Sequence, residues 1–523
     1  MLGVSDIHDI QTSTHAFPSV HLPPKTISKT RSTTSEDPSV RFDDVKKILK
    51  ATLESWESKN VWDCVYDTYK DLHKHPSTSG NESYIAGKAA KFLKDIQMLL
   101  NSASSFNGSF EVHENVGATT EGGPGVVGVM MNPGGDTKKS LAQLRDDPPK
   151  PVVLLRADMD GLPVKEETHC DYESENDGVM HACGHDMHTT TLMAATQMMV
   201  ENRGAWTGTF IALFQPAEEN GTGAMAMLKD GLYGKVPLPD YVMAGHVTPE
   251  LAGNVSLSHG TAYSRSDSWR ITIKGKGGHG SRPEACYDPI VCLAYVITRI
   301  QSIVARVVPS TEAGVITVGQ IEGGAAENVI PESASMKVNI RSNTDELYAV
   351  IEKELRRVVA AEVRATLPEG DVAWTAEEQG SSDANPQFER ISGLPLLKNT
   401  DSLRETISDA FGTLFGADRF DGNVAGVSGS EDFPHLAKKT AHDETPSIPL
   451  LYWRYGATNK EAWDAAAGDV TKIPSNHSKK FLPQLRREEV DDPLKVGTQA
   501  LVGAALTLLR EREGDALGGF EMV

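Results

Sequence analysis

The chain has 523 residues, 39% of them hydrophobic, and a net charge of −21 from 72 acidic against 51 basic side chains. One core rarely grows past roughly 250–300 residues, so two domains are expected. The acidic balance argues against nucleic acid and anionic membrane surfaces as partners, and no apolar run of about 18 residues suggests a bilayer span.

Residues 1–40 are rich in Ser, Thr and Pro and lack the apolar segment of a secretory signal, which predicts a disordered extension. Asp6, Asp9, Glu36 and Asp37 argue against an organelle presequence. Helical periodicity runs, with breaks, from Val45 to about Leu99, and β-like runs separated by Gly-rich turns follow. "PVVLLRADMDGLP" (151–163) carries the continuous apolar run of a buried parallel strand. "TTTLMAATQMMVEN" (189–202) predicts a helix, "GTFIALFQPAEE" (208–219) a second buried strand, "GAMAMLKDGL" a helix and "DYVMAGH" (240–246) a third strand. Strands alternating with helices predict a layered α/β domain around a mostly parallel sheet.

After about Ser264 the pattern becomes alternating. "SWRITIKGKGGHGSRPE", a helix over 288–307, "GVITVGQIEGG", "SASMKVNIRS", a helix over 345–367 and "DVAWTAEEQ" (371–379) give the order β-α-β-β-α-β. That order predicts an inserted ferredoxin-like α+β domain. The expected division is a catalytic domain over 41–264 and 398–515, an inserted domain over 265–380 and a Pro/Gly/Asn-rich linker over 381–397. The stretches 132–150 and 439–447 read as polar inserted loops.

Potential metal ligands recur where the strand patterns stop. Asp158 and Asp160 end one strand, Glu218 and Glu219 the next, and His246 the third. Cys183 and His185 open a helix in "MHACGHDMH" (180–188), and His477 lies in "PSNHSKKF". Ligand sites of open α/β sheets form at the carboxyl ends of strands, so these groups can converge. The cysteines, Cys64, Cys170, Cys183, Cys286 and Cys292, are sparse and odd in number. That is not a disulfide framework; it suggests a reducing, cytoplasmic setting and leaves Cys183 free to ligate. Thiolate, imidazole and carboxylate together suit zinc, with manganese, cobalt or nickel as other choices. The number of donors exceeds one tetrahedral site, which favours two ions roughly 3.5–4 Å apart. In "PAEE" one carboxylate can ligate while its neighbour works as a base. His188 and His181 read as packing or loop-supporting residues.

In these stretches the chain resembles the metallopeptidase family of aminoacylases and glutamate carboxypeptidases. Within it the likeness is to the amidohydrolase branch of hippurate hydrolases, N-acyl-L-amino acid amidohydrolases and plant auxin-conjugate hydrolases. "LHKHP" (72–76), "LLRADMDGLPVKEET", "MHACGHDMHTTTLMAA", "FQPAEENGTGAMAML", "AGHVTPELAGN", "IKGKGGHGSRPEACYDPI", "GGAAENVIPESASMKVNIR", "GSEDFPHL" and "NHSKKF" carry it, in family order, over about residues 60–510.

The resemblance implies metal ligands at Cys183, His185, Glu219, His246 and His477, with Cys183 bridging two divalent ions. It implies Glu218 as general base and Asp160 as the carboxylate that orients a ligand histidine. His279 would help to hold the substrate carbonyl, and Asn328 and Arg341 would bind the substrate's free carboxylate. The activity implied is hydrolysis of N-acyl amino acids to a carboxylic acid and an amino acid, with a homodimer formed through the inserted lid domain. Lys479 departs from the family pattern, which has proline near that position. The competing readings are a dipeptidase or carboxypeptidase of the same family, and a catalytically silent metal- or carboxylate-binding protein.

Overall fold

The computed structural model describes residues 38–103, 106–118, 122–134, 139–366 and 385–509. The extension up to residue 37, the strand expected over 371–379 and the chain beyond 509 lie outside the described residues. Helix begins at Pro38, inside the stretch expected to be disordered.

Every residue of the strands Val152–Asp158 and Gly208–Gln215 is buried, as their continuous apolar runs require. They pair in parallel with one another, and Val152–Asp158 pairs in parallel with Tyr241–Leu251. Across the sheet the strands run Ser109–Val116, Gly125–Asn132, Gly208–Gln215, Val152–Asp158, Tyr241–Leu251, Leu450–Thr458, Val255–Ser258 and Phe420–Val424. The four central strands are mutually parallel. Antiparallel pairs join the two strands on one flank and Val255–Ser258 on the other.

Strand alternation sends Val153, Leu155 and Ala157 into one core and Val152 and Leu154 into another, so both faces of the sheet are covered. The helix His185–Glu201 is buried from His185 to Val200 and packs against Pro493–Leu509. Burial on all sides explains its small and apolar sequence. Two of its threonines satisfy their hydroxyls on the preceding turn: Thr190 Oγ1 donates to the Asp186 carbonyl and Thr196 Oγ1 to that of Leu192, each at 2.7 Å.

A second sheet is antiparallel throughout, in the order Gly314–Gly323, Ser333–Ser342, Arg265–Lys274 and Gln387–Leu394. The helices Pro289–Arg306 and Asp345–Thr366 cover it, and Trp269, Ile271, Ile273, Val296, Ile300 and Ile351 join its separate core. This is the expected β-α-β-β-α-β order with a different last strand. The stretch expected as a linker over 381–397 contains that strand, Gln387–Leu394. It is an edge strand with no buried residue, so it carries no hydrophobic alternation to read.

Pro289–Arg306 is, among the described residues, the one helix apolar and long enough to cross a membrane by length and composition. Arg299 and Arg306 interrupt its sequence, and Cys292, Leu293, Val296, Ile300 and Ile303 bury one stripe of it on this sheet.

Candidate metal centre

The ends of the central strands and the loops beside them carry the site. Gly184 has φ +86°, and a Cβ there would lie 2.4 Å from Val247 Cγ1. Only glycine makes that turn, which starts the helix at His185 and leaves Cys183 and His185 on either side of it. Glu218 and Glu219 follow the Gly208–Gln215 strand through Ala217, whose φ is +52°. His246, expected at the end of its strand, lies inside it, because Tyr241–Leu251 continues past it to Leu251.

His477 also adopts a left-handed backbone, φ +69°. Its N–H donates to the Ala182 carbonyl at 2.8 Å. Asn476 Nδ2 donates to the carbonyls of Cys183 and Val247 at 3.0 and 3.2 Å, tying this distant loop to the others. Left-handed non-glycine residues cost on the order of 1–3 kcal/mol, and two of them flank one cluster of polar side chains.

The five residues expected as ligands come together. Cys183, His185 and His246 form one group with donor atoms within 4.8 Å of one another, and Cys183, Glu219 and His477 form a second. Cys183 Sγ lies 3.4 Å from His246 Nε2, and His477 Nε2 lies 3.4 Å from Glu219 Oε2. His185 Nε2 lies 3.9 Å from Glu219 Oε1. Two donors bound at about 2.0–2.3 Å to one tetrahedral ion stand roughly 3.3–3.8 Å apart, close to these separations.

The remaining ring nitrogens are already engaged. His185 Nδ1 meets Asp160 Oδ1 at 3.2 Å, and His246 Nδ1 donates to the Val247 carbonyl at 2.7 Å. That leaves each Nε2 toward the cluster, the arrangement by which outer groups orient metal-binding imidazoles. His185 Nε2 and Glu219 Oε1 are buried without any hydrogen-bond partner. Burial pushes the Cys183 thiol up to about 12 and the Glu219 carboxyl up to about 7. Burial, with Glu431, Glu219 and Asp432 adding repulsion, also holds Glu218 well above the ordinary carboxylate range. Divalent cations would satisfy the orphaned donors and offset the crowded negative charge, so the residues present fit two ions sharing Cys183.

Beneath the donors lies a second polar layer. Asp160 Oδ2 accepts the Glu219 N–H at 2.9 Å and Ser79 Oγ at 2.7 Å, fixing the turn that carries both glutamates. Glu82 Oε1 accepts the Ala217 N–H at 2.8 Å. Asp158 Oδ1 meets His188 Nδ1 at 2.5 Å, and His188 Nε2 accepts the Val247 N–H at 2.9 Å, so His188 supports the backbone. His181 is buried and makes no hydrogen bond through its ring.

Sequence analysis assigned no role to Arg156, Glu431, Asp432 or His73. Arg156 donates to Asp158 Oδ2 at 2.6 Å, Glu431 Oε1 at 3.0 Å, Asp432 Oδ1 at 3.3 Å and Gln215 Oε1 at 2.9 Å. An arginine inside the apolar run "VVLLRAD" is the signal that could have revealed it, because a buried guanidinium requires buried counter-charges. Arg156→Met should strand three carboxylates and cost about 3–5 kcal/mol, read as a lower urea midpoint; an unchanged midpoint would show that the network contributes nothing. His73 sits between Asp186 Oδ2 at 2.6 Å and Glu166 Oε1 at 3.1 Å, which braces the residue next to His185.

The three residues expected from the second domain make their described contacts with residues other than the donors. His279 lies on an exposed two-residue strand, with Nδ1 2.8 Å from Ser281 Oγ. The Gly280 N–H donates to the Asn328 carbonyl at 2.8 Å, which makes Asn328 its neighbour. Arg341 is no free surface arginine. It donates to Asn339 Oδ1 at 3.1 Å, the Ser428 carbonyl at 2.7 Å and Ser430 Oγ at 3.1 Å, joining the second sheet to the loop that leads into Glu431. Lys479, the departure beside His477, is paired with Glu167 at 2.7 Å.

The profile of peptidase family M20/M25/M40 matches residues 154–461. A hippurate hydrolase of Campylobacter jejuni is 31% identical over 363 residues, 69% of this chain and 82% of that protein. An N-acetyldiaminopimelate deacetylase of Streptococcus thermophilus is 36% identical over 276 residues, 50% of this chain and 72% of that one. Among solved structures, a dinuclear metal-binding peptidase of the M20 family from Bacillus subtilis shares the fold at a TM-score of 0.61 and 23% identity, over 85% of this chain and 97% of that one.

Proposed function

Because the chain belongs to peptidase family M20/M25/M40, we propose that it is a metal-dependent amidohydrolase that cleaves N-acyl amino acids into a carboxylic acid and a free amino acid. The relatives support that substrate class, since hippurate and N-acetyldiaminopimelate are both N-acylated amino acids. The convergence of five potential donors on two overlapping groups that share Cys183 is the observation that carries the reading. The test is a substrate panel run on protein of measured metal content, comparing N-acetyl and N-benzoyl amino acids with dipeptides. Faster turnover of the dipeptides would make the protein a dipeptidase instead.

The ligands in this reading are Cys183, His185, Glu219, His246 and His477, holding two divalent ions, with zinc first and manganese, cobalt or nickel as other occupants. Bound ions would supply Lewis acidity toward the scissile carbonyl and would ease ionisation of the attacking water. Glu218 accepts the proton of that water and returns it to the leaving amine. Asp160 keeps the His185 ring and the Glu219 backbone in place while it does so. Arg341 and Asn328 take the free carboxylate of the substrate, Arg341 through its Nη2 while Asn339, Ser428 and Ser430 hold the rest of the guanidinium.

His279 donates to the oxygen that gains charge in the tetrahedral state. Since its described contacts are with residues other than the donors of its own chain, we assign that task across a homodimer. The surface that supports the dimer lies on the same domain: Ile290, Val291 and Tyr295 on one helix, and Val315 and Ile321 on the open edge strand, are exposed and apolar. His279→Ala is expected to keep its metals and to lower kcat by about 10²–10³, the usual worth of such a donor. Mixing it with Glu218→Gln protein should restore activity, because some mixed dimers hold one complete site. A mixture that exchanges subunits without recovering activity would rule out the shared site. The setting proposed is the cytoplasm.

A further inference from the structure

The Leu450–Thr458 strand is buried at every residue, yet it carries an arginine. Arg454 pairs in register with His246 on the neighbouring parallel strand, so its side chain emerges on the same side of the sheet as a proposed ligand. The residue is 7% exposed. Its Nε has no hydrogen-bond partner, and its Nη2 reaches the Ala425 carbonyl only at 3.4 Å. The acid beside it, Glu250, stands 3.8 Å away, outside hydrogen-bond reach, and is itself one-third exposed.

Arg156 is the internal control. It is equally buried and lies two strands away in the same sheet, but three carboxylates and a glutamine amide engage its guanidinium. A buried cation is stable only when paired and hydrogen-bonded. The fold meets that requirement in full at Arg156 and leaves it open at Arg454.

Tyr263 places the opening at the metal centre. Its ring lies 6.5 Å from that of His246 and 5.3 Å from that of Tyr452. Burial pushes its phenol up, against the pull of Arg454, while Glu431, Cys183 and Glu218 push the same way as burial. An anion received by Arg454 would lie on the face of the sheet that carries His246. Arg341 is assigned the α-carboxylate in the proposed function, and Ser428 and Ser430, which hold its Nη1, lie further along the loop that presents Ala425 to Arg454.

We infer that Arg454 receives a second carboxylate of the substrate, so that the preferred substrates are N-acyl amino acids bearing a carboxylate besides the one on the α-carbon. The inference rests on the proposed amidohydrolase reading. The second carboxylate can belong to the amino-acid side chain or to a dicarboxylic acyl group, and both meet the same guanidinium fork.

The experiment measures kcat/KM on metal-loaded protein for N-acetyl-L-glutamate, N-succinyl-L-alanine and their neutral counterparts, N-acetyl-L-glutamine and N-acetyl-L-alanine. At least one acidic substrate should exceed its counterpart tenfold or more, and which one does so identifies the side of the amide that Arg454 faces. Arg454→Gln should bring that ratio close to one, and Arg454→Lys, which keeps the charge but loses the fork, should fall between. Metal content should stay full in both variants. Inhibition by the acidic product, glutamate or succinate, should weaken tenfold or more in Arg454→Gln. Two results overturn the inference: a wild-type protein with no acidic preference, or an Arg454→Gln protein that loses all four substrates equally. Failure of wild-type protein to turn over any N-acyl amino acid would instead remove the proposed function, and calorimetric titration of succinate into wild type and Arg454→Gln would then decide the anion site by itself.

Discussion

Glu218→Gln protein is expected to fold, to bind both metals and to lose about 10²–10⁴-fold in turnover, the usual worth of general base catalysis. The substitution is nearly isosteric, and the main anchors of the turn lie elsewhere: Asp160 and Glu82 hold the N–H groups of Glu219 and Ala217. What the amide lacks is a site for the proton. Burial and the neighbouring Glu431, Glu219 and Asp432 hold the Glu218 carboxyl well above the ordinary range. A high affinity for protons suits a group that must take one from water and hand it to an amine. Glu219→Gln should behave differently, losing metal before it loses chemistry, because Glu219 shares one donor group with Cys183 and His477 and another with His185 and Glu218, whereas Glu218 is in only the second of these. Metal analysis beside steady-state kinetics separates the two variants. Equal metal loss in both would mean that the two carboxylates do not divide the work in this way.

The catalytic half of the fold was readable wherever burial wrote a continuous apolar run. Val152–Asp158 and Gly208–Gln215 are buried at every position and could be read directly. Gln387–Leu394 could not, because an exposed edge strand has no face to keep apolar, and its residues were taken for a linker. The donors were legible for a related reason. Strand ends in an open α/β sheet face one edge, so Glu219 was expected near Cys183 and His185 before any distance was known, and His246 joined them although its strand runs on to Leu251. His477 was a candidate ligand without a strand end to place it, and resemblance joined it to the others, since nothing in "PSNHSKKF" says that Asn476 will tie it to Cys183 and Val247. The charged layer under the site, from Arg156 to Glu431 and Asp432, was missed because its members lie about 275 residues apart and only the folded sheet pairs them.

Removing the metals should abolish turnover, and the variants should differ in how many ions they lose. Cys183 is common to both donor groups, whereas His246 belongs to one and His477 to the other. Cys183→Ala should therefore bind neither ion firmly, while His246→Ala should lose chiefly one. Burial holds the free Cys183 thiol up to about 12, so at neutral pH it is protonated until a cation displaces the proton. Metal binding then releases a proton, and occupancy at limiting metal should rise as pH rises through the neutral range. Folding stability should follow occupancy: at about 1,000 times the dissociation constant a bound ligand adds about 4 kcal/mol, so chelated protein should melt well below loaded protein. Zinc, manganese or cobalt returned to the chelated protein should restore turnover, which Cys183→Ala should not regain. Full activity in metal-free protein, or two tightly held ions in Cys183→Ala, would be incompatible with a centre built on this thiolate.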